Sequence, residues 1–295
     1  MDGLPPLSLG EGRGEGEASA EAGLLRYTDS AFSTPLRRPS ILAGLLLSCA
    51  GISSAQQPFA TDDAEVTPRH QWHFQYANEF AVLQKFDYPN LRQDTSNFVI
   101  QYGLFESVEV NLDFPLISIS NARGTPSVFG LGDVDFAVKW KLVEEAPGAA
   151  HPAFTVNVAA EFPTGSEKKQ LGSGLTDYVL NTILQKTLSG TAFHINAGIQ
   201  FAGNTRTGIV GIRTPGRILI GGLSAARDFS ERLRLGLDLN GAEVHDGGLV
   251  EKQLQLTAGG NYALRHNNGS FDFGAYVGWY SGPRFGLILG VSVTP

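Results

Sequence analysis

The chain has 295 residues, with 29 Asp and Glu against 22 Lys and Arg, a formal charge of −7, 36 Gly and one Cys. This composition excludes a collagen, a disulfide scaffold and a basic nucleic-acid binder, so no nucleic-acid partner is expected. The longest apolar run, residues 41–52, is interrupted by Gly44, Ser48 and Cys49 and falls short of the roughly 20 residues a helical membrane span requires.

In chain order, residues 1–35 are rich in Gly, Glu, Ser and Pro, too polar to fold, and read as a non-native or disordered extension from an over-extended start site. Residues 36–55 read as a secretory signal: Arg37 and Arg38 form the positive region, 41–52 the apolar region, and Ser53-Ser54-Ala55 the cleavage site. The arginine pair leaves a twin-arginine signal open, and Leu46-Leu47-Ser48-Cys49 resembles a lipobox that would lipidate Cys49. A mature chain from Gln56 keeps 23 acids and 18 bases, a charge of −5, and no Cys, so neither a disulfide nor a Cys metal site holds the fold. Residues 56–68 form a lead-in carrying Asp62 and Asp63. It is expected either to fold into the periplasmic mouth as a plug or to remain a disordered approach to the first strand.

From 69 to 295 the dominant signal is period-two alternation, which places successive side chains on opposite faces of a strand. Trp72, Phe74, Tyr76, Phe80 and Val82 alternate with Gln71, His73, Gln75 and Glu79. The pattern repeats at Phe98 to Tyr102, Val108 to Phe114, Val134 to Leu142 and Phe154 to Phe162, then at Phe193 to Phe201, Leu233 to Leu239, Leu254 to Tyr262, Phe271 to Trp279 and Phe285 to Val293. Residues 175–187 match less well because Val179 and Ile183 interrupt the polar face, and 217–227 are Gly-rich with little contrast. The sum is about twelve strands of roughly 9 to 11 residues, the length of a tilted membrane strand. Long and short connections alternate, with a connection of about ten residues expected before Leu254. The fold predicted is an all-β, up-and-down antiparallel transmembrane barrel with both termini periplasmic, closed because hydrocarbon tolerates no unpaired strand edge.

The apolar face of such a barrel meets lipid, with Trp72, Tyr102, Phe114, Trp140, Phe162, Tyr262 and Trp279 suited to interfacial girdles. The polar face lines the lumen, and its candidates are Gln75, Glu109, Asp113, Asp135, Lys139, Asn157, Asn196, Arg234 and Asp238. Glu109, Asp113, Asp133 and Asp135 against Lys139 and Lys141 read either as a self-compensating interior or as a transverse field acting on permeants. The six His lie far apart, and no nucleophile elbow occurs, so no metal, cofactor or catalytic residue is expected. Gly130 to Gly132 and Gly172 to Gly174 read as close approaches and turn glycines.

Pro58-Phe59-Ala60-Thr61-Asp62-Asp63-Ala64, Gly130-Leu131-Gly132-Asp133 with Lys139-Trp140-Lys141, Glu161-Phe162-Pro163-Thr164-Gly165 and Gly172-Ser173-Gly174-Leu175-Thr176-Asp177-Tyr178 follow in order. On these motifs the chain, from about residue 58 to 293, resembles the outer-membrane proteins named after the meta-pathway of phenol degradation. That resemblance implies an outer-membrane barrel moving small hydrophobic or aromatic compounds. One departure is the end Val291-Ser292-Val293-Thr294-Pro295, where many such barrels finish on an aromatic residue read by the insertion machinery. The function expected is passive uptake or efflux of small, hydrophobic or aromatic solutes through a narrow or partly plugged lumen, with outer-membrane lipid and the barrel-insertion machinery as partners. The alternatives are a structural or ligand-binding barrel with an occluded lumen and, third, a soluble secreted sandwich.

Overall fold

The computed structural model describes residues 57–82, 91–121, 127–169, 171–172, 174–202, 216–246, 249–264, 269–280 and 282–295. The expected extension and signal, residues 1–55, lie outside the described residues.

Thirteen strands follow in chain order: β1 (Trp72–Val82), β2 (Leu91–Phe105), β3 (Val108–Asn121), β4 (Val128–Leu131), β5 (Val134–Val143), β6 (Ala153–Phe162), β7 (Asp177–Leu188), β8 (Thr191–Ala202), β9 (Gly216–Asp228), β10 (Leu233–Asp246), β11 (Leu249–Ala263), β12 (Gly269–Tyr280) and β13 (Phe285–Val293). Apart from β4 and β5, consecutive strands pair antiparallel, and β1 pairs with both β2 and β13, so the sheet closes on itself. β4 and β5 both pair with β3 and run as two halves of one strand, which makes this a twelve-strand barrel. The break falls at Gly132 and Asp133, where a Cβ on Gly132 would lie 2.8 Å from Ile117 Cδ1 and 3.0 Å from Pro115 Cγ. No helix longer than the three-residue 3-10 turn Glu167–Lys169 occurs among the described residues.

Alternation explains the strands. Outward positions such as Phe98, Trp140, Leu180, Leu237 and Leu289 are exposed, while inward neighbours such as Lys139, Asn181 and Asp238 are buried and polar. That inversion, greasy outside and polar within, suits a wall with hydrocarbon on its outer face. Outward aromatics near strand ends include Trp72, Trp140, Phe162, Tyr262 and Trp279, and Trp72 meets Tyr102 at 4.6 Å between ring centroids.

One expectation needs correction. The connection before Leu254 is not a loop of about ten residues: β10 continues to Asp246 and β11 starts at Leu249, with Gly241 paired to Leu254 and Asp246 to Leu249. The Gly241-Ala242 pair weakens the contrast between the two faces of this stretch. Among the glycines read as close approaches and turn formers, Gly174 takes left-handed backbone (φ 76), and Gly130 and Gly132 sit at close approaches to Leu171 and Ile117.

The start of β1 and the end of β13 lie at one end of the barrel, where Phe74 pairs with Val293. At the opposite end an apolar layer of Ala81, Ile117, Ile119, Leu171, Tyr276 and Ile288 points inward, with Leu171 contributed by the connection between β6 and β7.

Candidate functional site in the barrel lumen

Inward positions carry the hydrogen-bonding chemistry. Of the sequence candidates, Gln75 on β1, Glu109 and Asp113 on β3, Asp135 and Lys139 on β5, Asn157 on β6, Asn196 on β8 and Asp238 on β10 are buried inside the barrel, and Arg234 on β10 is half-buried. Register brings several together: Glu109 faces Lys139, Asp113 faces Asp135, and Lys139 faces Asn157. Gln75 and Asp238 stand on other parts of the wall. Two carboxylates outside the candidate set extend the acidic row, since Asp135 faces Glu161 and Glu161 faces Asp177. Their inward phase was readable, because Glu161 precedes outward Phe162 and Asp177 precedes outward Tyr178.

Residues 57–67 lie along the inner wall and touch successive strands in reverse chain order. Asn261 on β11 donates to the Gln57 carbonyl, and Pro58 rests against Gly259 and Gly274 on β11 and β12. Phe59 covers Gly236 on β10, and Ala60 N–H donates to Asp238 Oδ2 at 3.2 Å. Thr61 covers Gly222 on β9. Asn196 on β8, with its amide turned to suit its neighbours, accepts from Asp62 N at 2.7 Å and donates to Asp62 O at 3.1 Å. Thr155 Oγ1 on β6 donates to Ala64 O at 2.7 Å, and Gln185 Oε1 on β7 accepts from Ala64 N at 2.9 Å. Thr67 N and Oγ1 both donate to Glu109 Oε2 on β3, at 2.6 and 2.7 Å.

The charged contact within this belt is buried. Lys139 Nζ lies 3.0 Å from Asp62 Oδ1 and 3.4 Å from Asp63 Oδ1, with Lys139 and Asp62 almost fully enclosed. Burial pushes the Asp62 carboxyl up to about 7, against the pull of the Lys139 ammonium. Lys141 holds Glu65 at 3.2 Å on the more exposed side.

The inward apolar residues now have a reason. Ile183 packs with Ala64 and Ala153, and Val179 with Ala137, Ala159 and Ile220. The interruption at Ile183 therefore falls where Ala64 of the belt covers the wall, whereas Val179 is covered by residues of β5, β6 and β9. Gly222 on β9 and Gly236 on β10 admit the belt side chains Thr61 and Phe59.

Cavities remain on two sides of the belt. One, of about 100 Å³, is lined by Pro58 and Phe59 of the belt and by the amides Asn97, Asn181, Asn240 and Gln255. The other, of about 210 Å³, lies between residues 63–68 and the strand ends near the termini.

This architecture is that of the outer-membrane β-barrels. The COG4313 outer membrane channel from Pseudomonas putida F1 superposes with a TM-score of 0.61 at 14% identity, over 79% of this chain and 98% of that one. A NanC porin superposes with a TM-score of 0.50 at 7% identity, over 75% of this chain and 98% of that one. No protein-family model matches the sequence. No curated protein matches it either.

Proposed function

We propose that this protein is a passive outer-membrane channel for small solutes, with its N-terminal belt, residues 57–67, as the element that narrows the passage, and with both termini on the periplasmic side. One observation carries this reading: a closed barrel with a polar lumen holds a segment of its own chain there by non-covalent contacts alone, leaving cavities on both sides. A rigid structural barrel needs only side chains to fill its interior, whereas a belt that can leave makes the bore adjustable.

The solute class is small aromatic molecules bearing hydroxyl or amino groups. Phe59 and Pro58 offer apolar faces in the first cavity, and Asn97, Asn181 and Asn240 offer donors and acceptors beside them. The motif resemblance to proteins of the phenol meta-pathway supports the same class. The rival reading, a binding barrel without transport, has support in the apolar layer around Leu171.

Deleting residues 58–66 and recording single-channel conductance separates them. The channel reading expects conductance to rise several-fold, with liposome swelling faster for phenol-sized than for sugar-sized solutes. Conductance equal to that of the intact chain, or permeation equal to protein-free liposomes, overturns it.

A further inference from the structure

Within a polar lumen, the layer of Ala81, Ile117, Ile119, Leu171, Tyr276 and Ile288 stands apart. The wall supplies five of these residues, from β1, β3, β12 and β13, and Leu171 comes from the connection between β6 and β7. With β4 and β5 counted as one strand, β6 stands six places round the closed wall from β12, so the layer joins opposite sides of the bore. It also borders the cavity of about 100 Å³. Ile288 lines that cavity, as does Glu79, whose Oε1 accepts from the Tyr276 hydroxyl.

Leu171 reaches the layer on a compact knob. Its N–H donates to Ser166 O at 3.0 Å across the 3-10 turn Glu167–Lys169. Asp133, at the break between β4 and β5, meets both stems of the knob. Its Oδ1 accepts from Gly165 N at 2.8 Å, and Gly172 rests on the same carboxylate, where an added Cβ would strike it. Beside them Thr164 Oγ1 donates to Gly132 O at 2.9 Å. Gly130 leaves room for the tip, since a Cβ there would lie 2.9 Å from Leu171 Cδ1. The break in the strand is therefore the seat of the knob. Polar contacts hold its stems, whereas Leu171, 2% exposed, enters the layer through hydrocarbon. An apolar constriction in a wet bore shuts to ions by losing its water. Hydrocarbon contacts are not directional, so an apolar solute replaces those that Leu171 gives up on withdrawing, and a sugar or an ion does not.

We infer that the β6–β7 connection is a second gate, at the end of the lumen away from the belt's Thr67, with Leu171 as its stopper and Asp133 as its mounting, and that Leu171 makes this mouth selective for apolar solutes. The inference rests on the channel reading and divides the work: the belt sets the size of the open bore, and the gate sets how often it opens.

The test combines planar-bilayer currents with maleimide labelling of Ile117→Cys, 1% exposed beneath the stopper, in a chain expressed from Gln56 onward that has no other cysteine. Leu171→Ala should raise both the open-to-closed ratio and the labelling rate by about tenfold or more while leaving the size of the open level unchanged. Deleting residues 58–66 should do the reverse to the currents. Gly172→Ala, whose methyl group strikes Asp133 and not the layer, should act like Leu171→Ala by unseating the knob. Leu171→Asn, which wets the layer, should lower the ratio of phenol-sized to sugar-sized permeation in liposome swelling by about threefold or more. Heat-modifiability on gels confirms that each variant is folded. A folded Leu171→Ala with wild-type gating and labelling, or one that changes the open level and not the ratio, overturns the gate and leaves the layer as static packing. Absence of currents from every form, the belt deletion included, counts against the channel. Labelling then decides the gate alone: a faster rate in Leu171→Ala upholds it and an equal rate overturns it.

Discussion

Gly222→Ala is the sharpest available perturbation of the belt. A Cβ built at this position would lie well inside contact distance of Thr61 Oγ1, with Thr61 Cβ at 3.2 Å and Cγ2 at 3.4 Å, and these are its three nearest atoms. The added methyl group therefore strikes the belt and not a neighbouring strand. Gly222 does not take the left-handed backbone seen at Gly148, Gly174 and Gly190, so alanine fits its strand conformation, and losing a glycine there favours the sheet by about 0.4–1 kcal/mol. Thr61 is 4% exposed and lies at the edge of the cavity of about 100 Å³, so a shift that relieves the clash moves the belt. Overpacking of this kind costs about 1–3 kcal/mol, which shifts the docked-to-released ratio of the belt by roughly 5- to 150-fold. The assay pairs single-channel conductance with labelling of a cysteine at Ala64, 0% exposed when docked, by a membrane-impermeant maleimide in a chain expressed from Gln56 onward, where no other cysteine occurs. Conductance and labelling rate should both rise in Gly222→Ala. They should stay unchanged in Gly221→Ala, whose new Cβ would meet Asn196 O at an ordinary 3.7 Å. A folded Gly222→Ala barrel with wild-type conductance and labelling refutes the placement of Thr61 against β9.

Three further outcomes follow from the same contacts. Lys139→Met leaves Asp62 buried without its cation and should weaken belt docking by about 3–5 kcal/mol, with Asp62→Asn restoring part of the loss in the double variant, both read by the labelling rate. Because burial holds the Asp62 carboxyl up to about 7, above the usual range near 4, docking is favoured by its protonated form. That contribution is complete below the unfolded value and fades as pH rises through about 7, so hydrogen exchange of residues 59–65, corrected for intrinsic rates, should show more protection at acidic than at alkaline pH, and Asp62→Asn should flatten the profile. On the outer wall, Leu237 is 56% exposed, and Leu237→Arg should destabilise the barrel in lipid by about 2–4 kcal/mol in denaturant titration if that face meets the hydrocarbon centre, against a negligible change if it meets water.

Strand identity was legible because a wall with lipid on one side and polar contents on the other imposes alternation, as Leu233 to Leu239 and Phe285 to Val293 show. What escaped was anything fixed by contact across the lumen. Val179 and Ile183 looked like faults in β7 until Ala64 and Ile220 were found against them or beside them. The low contrast of β9 has the same cause, since Gly222 is small to admit Thr61. Lys139 was recognisable as an inward charge, but its partnership with Asp62 joins residues far apart in sequence, and no local pattern encodes it. Glu161 and Asp177 were in phase with the interior, yet they stood at strand ends where the reading gave way to connections.

The order in which residues 57–67 meet β11, β10, β9, β8, β6 and β3 bears on how the bore widens. The Thr67 side runs straight on into β1, so under the proposed channel reading the Thr67 end is the fixed end of the belt and release advances towards it one strand at a time. Such a lining would peel like tape instead of swinging like a door, with early steps shedding Asn261, the glycine row and Asp238, middle steps parting Lys139 from its two aspartates, and last steps freeing Ala64 and Thr67.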